Sequence, residues 1–161
     1  MNPQLLVQKL PEIKTWIEGT LASHRAMERQ VTSDVFPRLA TYYSTQLLAS
    51  SRVVEVPRVP IPPLAAFGLP DFAEFENGDY EGITYLNTYF VQASVAASES
   101  LHFHELVHVV QWQHLGADRF LAAYAIGLAG GYRANPFEVM AYDLQVRFDQ
   151  NAAPFEAELK K

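Results

Sequence analysis

Residues 98–116 read SESLHFHELVHVVQWQHLG. Ser98 and Ser100 are N-cap candidates, and Glu99 suits the positive end of a helix dipole. Gly116 is the stop signal. Between them, Leu101, Phe103, Leu106, Val107, Val109, Val110, Trp112 and Leu115 fall all round a helix. A helix that is apolar all round is buried. Buried imidazoles and carboxylates are costly unless they are paired or bound to metal. Four of the five histidines lie between residues 102 and 114, and residues 104–108 read H-E-x-x-H. Residues four apart share one helix face, so His104 and His108 can bind one metal ion. Glu105, one step round, then sits beside the ion's open position, where it can take a proton from water. Zinc is the natural metal, because it accepts imidazole and carboxylate and keeps one position for water at a catalytic site. The competing reading is a core of His and Glu satisfied by hydrogen bonds alone.

The rest of the chain sets the frame. Its 161 residues amount to one domain by length. A chain of that size buries roughly 68–70% of its unfolded surface. The pool of apolar residues, 49% with ten Phe, eight Tyr and two Trp, can fill such a core. A net charge of −6 with no basic patch argues against a nucleic-acid partner. No apolar run is long enough for a membrane span, and the first twenty residues lack the pattern of a signal peptide. The expected compartment is therefore the cytoplasm. The absence of cysteine excludes disulfides, thiolate zinc sites, iron–sulfur clusters and a Cys nucleophile.

The elements point to an α+β fold in one domain, 1–161, with three parts. Residues 1–50 read as helical. Pro11 fits the first turn of a helix carrying Ile13, Trp16, Ile17 and Leu21. Ser33 or Asp34 caps a second helix with Pro37 in its first turn and Phe36, Ala40, Tyr43 and Leu47 at helical spacing. Residues 51–97 hold a β-branched strand at 52–56. An extended stretch with Pro57, Pro60, Pro62 and Pro63 follows, which cannot be a central strand. The region from Phe72 to Tyr80, with the turn signal Asn77-Gly78, reads as irregular or as a hairpin, and residues 82–91 as one strand or a tight pair. Residues 98–150 hold the site helix, a small-residue helix over about 118–129 broken at Gly130-Gly131, and a last helix. Asn135 caps that helix with Pro136 at its first position, and Phe137, Met140, Ala141, Leu144 and Phe148 form its apolar stripe. The charged tail after Pro154 is expected to fray.

A catalytic zinc usually has three protein ligands. His114 occupies the third-ligand position of the metzincin pattern, but Gln111 stands where that pattern needs Gly. With the helix continuing, His114 lies about 120° round from His108 and roughly 9 Å further along the axis, out of reach of the same ion. Glu138 is the other candidate, although Asn135-x-x-Glu138 also spells a capping box. A di-iron reading of Glu99…His102 and Glu105…His108 fails, because both pairs lie on one helix and cannot clasp a shared cluster.

The chain resembles zincin-type metallopeptidases of the gluzincin group. More narrowly, it is similar to small bacterial H-E-x-x-H proteins. The resemblance rests on GITYLNTYFV at 82–91, HELVHVVQ at 104–111, G-x-x-R-F-L-x-x-Y at 116–124, Gly131-Tyr132, and Pro136-x-Glu138. It covers about residues 80–150 and leaves the first 80 unplaced. It implies a zincin-like domain with an edge strand beside the site helix, residues 83–91 being the candidate edge for pairing with a peptide. It implies zinc held by His104, His108 and Glu138, with small Ala141 three positions on, and Glu105 as general base in cleaving an amide bond. An oxyanion donor is also implied, with Tyr132 the first candidate and Tyr142, His102 and Arg133 the others. Gln111 either orients a ligand or forms part of the cleft wall. The implied partner is a peptide or protein substrate. A non-catalytic or latent zinc-binding domain acting in protein interaction is the alternative, with Pro57–Pro63 able to lie in a peptide groove. A metal-free interaction module is a third reading. An intact Glu105 favours catalysis, since a structural site needs no base.

Overall fold

Alternation along two short strands decides where the core lies. The computed structural model describes residues 2–32 and 34–153; the Ser33 cap candidate and the tail after Pro154 lie outside them. In strand β2 (Arg52–Val56), Val53 faces one apolar cluster, and Val54 and Val56 face another. In β4 (Thr88–Gln92), Tyr89 and Val91 join the first cluster and Phe90 the second. Side chains of a strand point alternately to its two faces, so the sheet carries a core on each side. Two further strands complete it, β1 (Arg29–Gln30) and β3 (Gly82–Tyr85), in the order β1-β2-β4-β3. The β2–β4 pair is parallel, with Val54 opposite Phe90, and the β3–β4 pair is antiparallel, with Ile83 opposite Phe90. The fold is α+β, as expected.

Residues 82–91 are thus a tight pair, and the expected edge is shorter than 83–91. The turn at Leu86 and Asn87, with Leu86 at φ 60°, folds β4 back between β3 and β2. Of this pair, Gly82–Tyr85 forms the edge, while Thr88 to Val91 lie between β3 and β2.

Two N-terminal expectations need correction. Helix α1 (Pro3–Ser23) begins a full two turns before Pro11. The Asn2 side chain accepts from the N–H groups of Gln4 and Leu5, and Pro3 occupies the first turn. Pro11 then lies inside the helix, on its exposed face, away from the buried stripe of Leu6, Leu10, Ile13 and Ile17. The second expected helix is two short ones, α2 (Leu39–Tyr42) and α3 (Thr45–Ser50). Tyr43 is extended (φ −122°, ψ 146°), and the Ser44 hydroxyl caps the new start by accepting from Leu47 N–H. Pro37 sits in the turn before α2.

The proline-rich stretch is extended, as expected. Tyr85 Oη donates to the Pro60 carbonyl at 2.6 Å and ties it to the sheet. Pro70 to Glu76 form a short helical turn and the four-residue α4 (Ala73–Glu76). Helix α5 (Glu99–Leu115) runs from the Ser98 cap to Gly116 (φ 78°), and every residue from Leu101 to Trp112 is buried. It packs on β3 and β4 and against both following helices, α6 (Ala117–Gly127) and α7 (Pro136–Asp149). Asn135 caps α7 through Phe137 N–H, and Pro136 takes the first position. Among the described residues, no helix is long and apolar enough to cross a membrane.

Candidate metal centre

Helices α5 and α7 bring three side chains to one point. Successive turns of α5 place His104 and His108 with their Nε2 atoms 3.1 Å apart. Glu138, in the first turn of α7, sets Oε2 3.2 Å from His104 Nε2 and Oε1 3.3 Å from His108 Nε2. All three residues are buried. The capping-box alternative for Glu138 is not taken up. The Asn135 N–H donates instead to the Tyr132 carbonyl, and the Glu138 carboxylate turns to the imidazoles.

Each of the three is held from behind. His108 Nδ1 lies 2.8 Å from Gln111 Oε1, and His104 Nδ1 lies 2.9 Å from Gln145 Oε1. The orientation of the Gln111 amide is set by its other end, which meets a carbonyl. Gln111 Nε2 donates to the Phe137 carbonyl and Gln145 Nε2 to Ser100 Oγ. The Gln111 oxygen therefore takes a proton from His108 Nδ1, and the Nε2 atoms of both imidazoles face the carboxylate. Tyr124 Oη donates to Glu138 Oε1 at 2.7 Å. Two imidazole nitrogens and a carboxylate thus converge in a buried space, where a cation or a proton between them offsets the cost of burial. The group His104, His108 and Glu138 can hold a metal ion.

The electrostatics agree. Burial opposes charge on His108, but the Glu138 carboxylate outweighs it and pushes the imidazole up to about 9. Burial likewise opposes ionisation of Glu138, yet His108 and His104 hold it well below the usual carboxylate range. Removing an amide that orients a ligating imidazole costs about 10–100-fold in metal affinity. Gln111→Ala and Gln145→Ala are each expected to weaken the metal by that factor in competition with a chelator. Unchanged affinity in both would show that the amides do not position the ligands.

Glu105 lies next to this group without joining it. Thr84 Oγ1 on β3 donates to its Oε2 at 2.7 Å, and burial raises its pKa against the lowering pull of His104 and His108. Gly82, also on β3, leaves room for it. A Cβ there would come within 2.8 Å of Glu105 Cδ and collide with Oε1. Tyr132 lines one cavity with Glu105, His108 and Glu138. Its hydroxyl hydrogen-bonds to Tyr142, and burial with the nearby carboxylates raises its pKa far above ordinary, so it stays a donor.

Tyr142 borders the group, while His102 and His114 lie away from it. Tyr142 packs its ring 4.5 Å from that of His104 and carries the Arg133 guanidinium on its face. His102 belongs to the core, bonded to Tyr89 Oη and the Ala96 carbonyl at 2.8 Å each. His114 is exposed near the end of α5. Gln145, Tyr124 and Thr84 escaped the sequence reading. Gln145 stands seven residues after Glu138, hence on the same helix face, which is the one local signal among the three. Neither the known protein families, nor the curated proteins, nor the solved structures contain a match to this chain.

Proposed function

We propose that this chain is a zinc-dependent hydrolase of the zincin type, most simply a gluzincin-like metallopeptidase acting on an amide bond. One observation carries the reading. Three ligating side chains, each oriented by its own hydrogen-bond partner, stand beside a buried carboxylate that is not needed to hold the ion. The donor set of two imidazoles and a carboxylate suits zinc. A tetrahedral zinc with bonds of roughly 2.0–2.1 Å spaces its ligand atoms about 3.3 Å apart. The two imidazole nitrogens here lie 3.1 Å apart, with one carboxylate oxygen 3.2 Å from His104 Nε2 and the other 3.3 Å from His108 Nε2, so the carboxylate faces both.

When bound, zinc supplies a polarised carbonyl and a water made acidic enough to attack at neutral pH. The protein supplies the rest. Glu105 accepts the water's proton and returns it to the leaving amine, and its burial-raised pKa suits both halves of that exchange. Thr84 holds Oε2 and so aims the carboxylate. Tyr132, kept protonated, donates to the oxygen that gains charge. The edge strand β3, which carries Thr84, offers unpaired backbone groups to an extended peptide.

The test is hydrolysis of a fluorogenic peptide library by chain purified without a His tag. Cleavage that a chelator abolishes and zinc restores is the expected result. A zinc-loaded chain that cleaves nothing in the library would point to the non-catalytic zinc domain instead.

A further inference from the structure

The cavity that reaches Glu105, His108 and Glu138 extends away from them under the N-terminal helix. Its volume is about 90 Å³. The far wall is the buried stripe of α1, including Leu10 and Ile13, and the opposite side is α6, including Leu121 and Ala125. Trp112 on α5 also lines it, stacked on Phe120 with ring centroids 4.3 Å apart. Among the described residues, no Lys, Arg or Asp lines this cavity, and its charged groups are Glu105, His108 and Glu138. Tyr80, Tyr85, Tyr124 and Tyr132 are its phenolic groups, and each is tied by a hydrogen bond, Tyr80 to the Phe75 carbonyl, Tyr85 to the Pro60 carbonyl, Tyr124 to Glu138 and Tyr132 to Tyr142.

We propose that this chamber is a specificity pocket, and that the site selects substrates with one uncharged, branched aliphatic group next to the cleaved bond. The inference rests on the hydrolase reading and adds to it the chemical class of the substrate. An apolar group entering the chamber leaves water for a lined apolar surface, which is favourable in proportion to its area. A carboxylate or ammonium at the same depth loses its hydration and finds no partner of its own. The volume matches a single side chain rather than a long acyl tail. An engineered apolar cavity of about 150 Å³ holds one benzene ring, so this smaller chamber suits a branched aliphatic group better than a ring. Because α1 forms the far wall, the first helix of the chain belongs to the binding site and sets which groups fit.

The experiment uses zinc-loaded protein and a series of hydroxamates, which share one metal-binding head. Acetohydroxamate is compared with hydroxamates bearing isobutyl, benzyl and carboxymethyl groups, with binding followed by displacement of a fluorescent competitor. The isobutyl compound is expected to bind at least about tenfold tighter than acetohydroxamate, the benzyl compound less tightly than the isobutyl one, and the carboxymethyl compound no tighter than acetohydroxamate. Ala125→Leu, which fills the chamber from α6, is expected to erase that gain while zinc content and acetohydroxamate binding stay unchanged. Equal binding across the series overturns the pocket and leaves the metal site standing. Should no hydroxamate bind while zinc is present, the hydrolase reading itself falls, and the pocket inference with it. Should Ala125→Leu fail to fold, the series on the native chain decides alone.

Discussion

A Glu105→Gln chain is expected to keep its zinc and to hydrolyse peptides about 10²–10⁴-fold more slowly than the native chain. The amide has the shape of the carboxylate but cannot accept the water's proton. Thr84 can still donate to the remaining oxygen, so the side chain stays in place. Gly82→Ala tests the same group from the other side. A Cβ at this position must push Glu105 aside, since it would come within 2.8 Å of Cδ. Zinc content is again expected to hold while turnover falls. Unchanged turnover in Glu105→Gln would remove the base from the account, and loss of zinc in that variant would make Glu105 a ligand.

Metal affinity is expected to rise about tenfold per pH unit up to about pH 9 and then level off. The ion must displace the proton that His108 shares with Glu138, and ligands bind metal only when deprotonated. Glu138 is already ionised throughout this range, so one proton leaves per ion. The metal-free chain responds in the opposite sense. The folded-state pKa of His108, about 9, lies above its ordinary 6.5. The stability contributed by charged His108 is therefore complete below pH 6.5 and is lost as pH climbs through about 9. Thermal scans with and without zinc at pH 6, 7.5 and 9 read both trends. A zinc-induced shift in melting temperature that grows with pH is expected. A shift independent of pH would show that no proton is displaced.

Local signals were legible and non-local ones were not. The helix carrying His104 and His108 could be bounded from Ser98 and Gly116, because caps act within one turn. Pro136 after Asn135 likewise placed the start of α7, and with it Glu138. Yet the same four residues, Asn135 to Glu138, spell both a cap and a ligand. Only the packing of α7 on α5 turns the carboxylate toward the imidazoles. Gln145 reaches His104 across 41 residues, and Thr84 reaches Glu105 across 21. No spacing rule links such pairs. Strand order is non-local for the same reason, so β4 could be read as a strand but not as an interior one. In α1 the apolar stripe was visible, but Pro11 drew the helix start inward, because a proline is ordinarily tolerated only in the first turn.

The most direct test of the metal centre is elemental analysis of chain purified without a His tag or added metal, alongside His108→Ala and Glu138→Ala. The account predicts about one zinc per native chain and none in either variant. A native chain without metal, whose melting temperature does not move when zinc is added, would contradict it. His104, His108 and Glu138 would then be a core cluster held by a shared proton.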